Sequence, residues 1–153
     1  MLKNKLAIIG GSGLYNIEGL SNVESLKIKT PWGDPSDELT KALFKSKEII
    51  FLPRHGRGHF ISPTKINFRA NIDALKQLGV TDIVSISAVG SLKEDLEPGM
   101  FVIVDQFIDR TFARNKTFFD DDIVAHVSMA KPTSVGLMNA CVESIKSENI
   151  QYK

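Results

Sequence analysis

Two rhythms of apolar and polar residues run along this 153-residue chain. Leu6-Ala7-Ile8-Ile9 is a short unbroken apolar run, the pattern of a buried strand, and it ends in Gly10-Gly11-Ser12-Gly13. Residues 25–30 alternate, with Leu26 and Ile28 between polar neighbours, and predict a half-buried strand. Two prolines, a glycine and two aspartates make residues 31–37 a loop. Residues 39–44 and 49–52 predict two more strands, joined as a hairpin around Lys45-Ser46-Lys47. Pro53 stops the second of them, and Arg54-His55-Gly56-Arg57-Gly58-His59 reads as an irregular polar loop. The period then changes. Phe68, Ile72, Leu75 and Leu78 predict a helix over 66–78, with Gly79 where a C-terminal cap belongs. Residues 83–88 predict a buried strand, Pro98-Gly99 a turn and 101–104 another strand. No periodicity is found from 109 to 132, and a connection of that length is usually functional or disordered. Ser134 can cap a helix running to about Ser147, with Leu137, Cys141 and Ile145 on one face. Ile150-Gln151-Tyr152 opens like a strand.

Strands first, then strand–helix–strand units, predict an α/β fold with a mixed sheet. No repeat, low-complexity segment or linker divides the chain, so residues 1–153 read as one domain without an internal boundary. Composition narrows the class. At 42% hydrophobic and 24% charged, the chain suits a globular protein and excludes a disordered or collagenous one. Nineteen basic and eighteen acidic residues leave a net charge of +1, so no basic field argues for nucleic acid or a membrane surface as partner. A single cysteine, Cys141, rules out an internal disulfide and points to a reducing compartment, the cytoplasm. The first apolar run is too short for a signal peptide, and no stretch approaches a membrane span.

Candidate chemistry gathers in three loops that follow strand ends. In the first, glycine lets backbone N–H groups converge on an anion, and Ser12 adds a hydroxyl donor. Neither the dinucleotide fingerprint nor the P-loop spacing is met, because Asn16 stands where a third glycine belongs and no Gly-Lys-Ser/Thr follows. A tight turn that needs glycine for geometry alone is the competing explanation. The second loop pairs Arg54, whose planar fork suits a phosphate, with His55 as a further donor. A solvated basic loop is the alternative there. His55 and His59 are four apart, but Gly56 and Gly58 oppose a helix and no carboxylate or cysteine completes a metal site. In the third loop, Ser87-Ala88-Val89-Gly90-Ser91, small residues let a ligand approach the backbone, or let a strand and helix pack closely. Ser87 could donate its hydroxyl and Ala88 its N–H. Asp105 to Thr111 either orient a site or pair among themselves. Asp120-Asp121-Asp122 reads as a solvated acidic loop without calcium-loop spacing. Together the three loops point to an oxyanion-binding α/β protein.

Several motifs in order carry a resemblance: Ile8-Ile9-Gly10-Gly11-Ser12-Gly13-Leu14, Thr30-Pro31-Trp32-Gly33-Asp34-Pro35-Ser36-Asp37, the loop from Arg54 to His59, Asn67-Phe68-Arg69-Ala70-Asn71, Ser87-Ala88-Val89-Gly90-Ser91-Leu92 and Asp105-Gln106-Phe107-Ile108-Asp109-Arg110-Thr111. Over essentially the whole chain they resemble the trimeric purine nucleoside phosphorylase family, in its methylthioadenosine-cleaving branch. That resemblance implies a central mixed β-sheet flanked by helices. It implies phosphorolysis of methylthioadenosine to adenine and methylthioribose 1-phosphate, with inorganic phosphate as co-substrate and no metal or other cofactor. It also implies a homotrimer. The family's phosphate-holding roles fall on Ser12, Arg54, His55, Ser87 and Ala88. His126, in Ala125-His126-Val127-Ser128, takes the position that reaches toward the methylthio end of a neighbouring subunit's substrate.

Family members run to nearly twice this length. Their following segment carries a Glu-Gly-Pro motif beside the ribose and the aspartate that holds and protonates the purine; neither feature is in these 153 residues. The expectation is therefore an N-terminal half, a fold incomplete at its C-terminus, holding most of a phosphate site but not the purine site. Such a chain alone should be inactive, and poorly soluble or oligomeric. Base choice lies in the following segment, so methylthioinosine or another purine nucleoside is the alternative substrate. A non-catalytic phosphate-binding or interaction fragment is the alternative of a different class.

Overall fold

A computed structural model describes residues 4–11, 17–119 and 122–153. Two compact units make up the chain: Met1–Ser87 with Arg114–Phe118, and Ala88–Ala113 with Phe119–Lys153.

The first unit holds a five-stranded mixed sheet. Its strands are β1 (Leu6–Gly10), β2 (Leu20–Leu26), β3 (Leu39–Phe44), β4 (Lys47–Pro53) and β5 (Asp82–Ser85), in the spatial order β2-β3-β4-β1-β5. The sheet is antiparallel from β2 to β4, and β1 runs parallel to both β4 and β5. The predicted hairpin is present. Phe44 pairs with Lys47, and the two residues between them, Lys45 and Ser46, both take positive φ, as a tight two-residue hairpin turn requires. Helix α1 (Phe68–Gln77) covers one face of the sheet: its Ala74 and Leu75 pack with Ala7, Leu39, Ile50 and Leu52 in the buried core. It starts two residues later than the periodicity predicts, because the Asn67 side chain accepts a hydrogen bond from the Ala70 N–H and caps it. At the other end Gly79 adopts φ +74°, and hydrogen bonds from Gly79 N to Lys76 O and Val80 N to Leu75 O close the helix.

Several strand boundaries differ from the pattern: β4 runs over Lys47–Pro53 rather than 49–52 and takes in Pro53, which pairs with Gly10. The strand expected at 25–30 lies at Leu20–Leu26 instead. It is the sheet edge, exposed along both faces, and its pairing shifts between Ser21 and Glu24, so neither half shows a clean alternation. The strand expected at 83–88 ends at Ser85, although the Ile86 N–H still bonds to Ile9 O.

The second unit contains α2 (Val135–Ser147), capped by the Ser134 hydroxyl accepting from the Leu137 N–H as predicted. Asn149 closes it at φ +54°, with bonds from Asn149 N to Lys146 O and Ile150 N to Ile145 O. Leu137, Cys141 and Ile145 do share its less exposed face, yet no α2 residue is buried. The strand expected at 101–104 is present as a parallel bridge between Phe101 and Tyr152, with bonds from Phe101 N to Gln151 O, Lys153 N to Phe101 O and Ile103 N to Lys153 O.

Candidate functional site

The carboxyl ends of β4, β1 and β5 lie side by side, which is where ligands collect in α/β sheets. Arg54 joins all three. It follows β4 directly, its backbone N–H donates to Gly10 O at the end of β1 (3.1 Å), and its Nη1 donates to Ile86 O just beyond β5 (2.6 Å). A Cβ placed on Gly11 would sit 3.9 Å from Arg54 Nη2, so the guanidinium lies alongside Gly11. The Arg54 Nε also donates to His55 Nε2 at 3.1 Å.

His55 is 8% exposed, and its Nδ1 is 2.8 Å from Ile61 O. The loop around it is tightly wound. Gly56 N donates to Pro53 O, His59 N to Gly56 O and Ile61 N to His55 O. Gly56, Gly58 and His59 all have positive φ, and a side chain on Gly56 would press on the Phe60 ring and on Ser36 O. The His59 ring lies 4.5 Å from the His55 ring, centroid to centroid, tilted by 36°.

Loop 30–37 and helix α1 hold this turn in place. Asn71, buried, accepts from Ser36 N (2.8 Å) and donates to Ser36 Oγ (2.9 Å). The neighbouring Asp37 carboxylate accepts from Arg57 N, and Arg57 Nη2 donates to Thr40 Oγ1 (2.7 Å). One turn of α1 earlier, Asn67 Nδ2 donates to Trp32 O (2.8 Å), and the Arg69 guanidinium lies over the Trp32 ring. Three motifs that are far apart in sequence thus form one hydrogen-bonded frame. Beside it, Ile8, Gly10, Gly11, Thr40, Phe51 and Arg57 are among the residues lining a groove of about 250 Å³.

Arg54 and His55 are therefore brought together, and Ser87 is the next residue after the Ile86 carbonyl that Arg54 grips. Ser87 and Ala88 are exposed; Ala88 opens the second unit, where the exposed His126 also lies. Ser12 lies outside the described residues, as do Asp120 and Asp121. Asp109 is committed locally, accepting from both the N–H and the hydroxyl of Thr111. Sequence reasoning gave Asn67, Asn71 and Asp37 no role. Their signal was the i, i+4 spacing of the two asparagines on one helix face, but the polar loop they serve is thirty-five residues away.

The Phosphorylase superfamily matches residues 5–153 of this chain. An S-methyl-5'-thioadenosine phosphorylase of Rhodospirillum rubrum is 58% identical over 148 residues, which is 97% of this chain and 50% of that protein. One from Cereibacter sphaeroides is 54% identical over 149 residues, 97% of this chain and 51% of that protein. Among solved structures, a methylthioadenosine phosphorylase from an Antarctic soil metagenomic library superposes with a TM-score of 0.94 at 46% identity, covering 99% of this chain and 54% of that one. The Schistosoma mansoni methylthioadenosine phosphorylase in complex with adenine gives a TM-score of 0.90 at 39% identity, covering 97% and 53%. The chain spans about half the length of the curated relatives it matches. With the mixed sheet, the strand-end loops and the match across nearly every residue in agreement, the chain belongs to the phosphorylase superfamily.

Proposed function

We propose that this chain supplies the phosphate-holding part of an S-methyl-5'-thioadenosine phosphorylase. The observation that carries the reading is the pre-ordered Arg54 fork at three parallel strand ends, in a chain 58% identical to a relative of that name. In the proposed reaction an oxygen of inorganic phosphate forms a bond to the anomeric carbon of methylthioadenosine. The bond from that carbon to the purine nitrogen breaks, its electron pair leaves with adenine, and adenine takes up a proton. The other product is methylthioribose 1-phosphate. An oxocarbenium-like transition state gains stability from a correctly placed anion, so holding the phosphate in position is itself catalytic. No metal or organic cofactor enters this scheme.

Ser12, Arg54, His55, Ser87 and the Ala88 N–H are proposed to surround the phosphate, and His126 to approach the methylthio group of a neighbouring subunit's substrate in a homotrimer. Both compact units are read as parts of one phosphorylase domain. A cytoplasmic location is proposed from the lone cysteine. Among the described residues, no helix is long and apolar enough to cross a membrane. The test is a chimera that joins residues 1–153 to the remaining half of the Rhodospirillum rubrum relative. It is expected to release adenine from methylthioadenosine only when phosphate is present. A folded chimera that releases none, or that prefers methylthioinosine, overturns the assignment.

A further inference from the structure

We infer that Gln106 is a positioning residue for His126: its side-chain amide ties the segment that carries this histidine to residues 105–107. The inference rests on the reading of His126 as the group that meets the methylthio end of a neighbouring subunit's substrate. Residues 122–133 form neither helix nor strand, so side chains have to hold this backbone in place. Gln106 does so with both ends of its amide. Its Oε1 accepts from the Phe107 N–H at 2.9 Å, and its Nε2 donates to Met129 O at 3.0 Å. These partners fix which end of the amide is which, because a main-chain N–H only donates and a main-chain oxygen only accepts.

Two neighbouring bonds extend the tie. Thr133 Oγ1 donates to Asp105 O at 3.3 Å, so residues 129–133 are laid along 105–106 by two rungs. Ser128 Oγ accepts from Ala130 N at 3.3 Å and tightens the backbone around Met129. On the other side, none of residues 123–127 makes a hydrogen bond among the described residues, and His126 and Val127 are exposed. Met129 is therefore the first fixed point after His126. Three residues of fully extended chain reach about 10–11 Å, so the imidazole searches only the space that this short leash allows. An exposed side chain restrained in this way loses less freedom when it meets a substrate. Gln106 itself touches no reacting atom, so its effect belongs to recognition of the methylthio group and not to the bond-breaking step.

Gln106→Glu separates the two bonds of the amide, because a carboxylate still accepts from the Phe107 N–H but offers Met129 O no donor. In the chimera with the remaining half of the Rhodospirillum rubrum relative, Gln106→Glu and Gln106→Ala should each raise the KM for methylthioadenosine about fivefold. The kcat and the KM for phosphate should stay within about twofold, as should the KM for adenosine, which has a hydroxyl in place of the methylthio group. In a His126→Ala background the Gln106 substitutions should add under about twofold. Hydrogen exchange of the 153-residue chain, read by mass spectrometry, should be faster in Gln106→Glu across residues 122–133 and unchanged in β1 to β5. An unchanged methylthioadenosine KM in Gln106→Glu overturns the inference, as does an equal rise for adenosine or full additivity with His126→Ala. If His126→Ala leaves the methylthioadenosine KM unchanged, the reading of His126 fails and the positioning role falls with it. Unchanged exchange in Gln106→Glu refutes the tie itself, whatever His126 does.

Discussion

Arg54 is useful to an anion because its freedom has been removed. A solvent-exposed arginine has to be ordered on binding, whereas here two acceptors already hold the guanidinium. Replacing Arg54 with alanine should weaken phosphate binding by about 1.5–3 kcal/mol, the usual loss for a hydrogen bond to a charged group, or roughly ten- to a hundredfold. Calorimetric titration of phosphate reads this directly, and an unchanged affinity would remove Arg54 from the site. Behind it, Asn71 is a residue whose worth lies in being doubly bonded. Asn71→Ala would leave both the Ser36 N–H and hydroxyl without their buried partner, so urea denaturation should show a loss of about 1–3 kcal/mol. Gly56 is constrained in a different way. At φ +72°, with Ser36 O 3.2 Å from any added Cβ, Gly56→Ala should cost at least about 1–2 kcal/mol in the same experiment. Arg54 and His55 could be picked out of the sequence because arginine and histidine after a strand end suit an anion. The two partners of the His55 ring could not, since one of them is the Ile61 carbonyl, a backbone atom that looks alike in every residue.

Among the elements, the ends of the helices were the easiest to read. Ser134 and Gly79 are caps whose chemistry is local, so a few neighbouring residues suffice to recognise them, whereas the Asn67 cap falls inside the helix expected over 66–78. The strands depended on distant partners. β2 is exposed along most of its length because only β3 pairs with it, and an edge exposed on both faces has no apolar rhythm to detect. The Asn67 cap has a second job that separates two substitutions. Asn67→Ala should lower stability by about 1 kcal/mol through the lost cap alone, and by more through the lost bond to Trp32 O. Asn67→Asp keeps the capping oxygen and loses only that bond, so its melting temperature should fall between wild type and the alanine variant. Just before β1, the Lys5 ammonium hydrogen-bonds the Glu48 carboxylate of β4 and holds its pKa below the ordinary glutamate value, with burial opposing and the charges of Lys5 and Lys41 assisting. A lowered carboxyl pKa stabilises the fold above the unfolded value and loses that contribution as pH falls through the folded one. The pair is exposed, so wild type should exceed Glu48→Gln by under about 1 kcal/mol at neutral pH. That gap should close in acid, as paired denaturation curves across pH would show.

At the scale of the whole molecule, the two units differ in how well they cover themselves. The first has a closed core around Ala7, Leu39, Ile50, Leu52, Ala74 and Leu75. In the second, α2 buries nothing completely, and Val104, Phe107, Ile108 and Phe112 are exposed. Apolar surface of that kind seeks cover, so the 153-residue chain should self-associate. Sedimentation velocity should show a coefficient that rises with concentration; a single monomer at all concentrations would contradict this. The interior place of β1 in the sheet has a further consequence, one of timing. This first strand has neighbours on both sides, yet they come from residues 47–53 and 82–85. During synthesis at about 5–20 residues per second, the second partner is made roughly 4–15 seconds after β1. For that interval Leu6-Ala7-Ile8-Ile9 is an apolar ribbon with at least one bare edge, while the local β3–β4 hairpin can close within microseconds of its emergence. The strand translated first is thus the last to be fully paired, and chaperone protection of the nascent chain matters most between the appearance of β1 and that of β5.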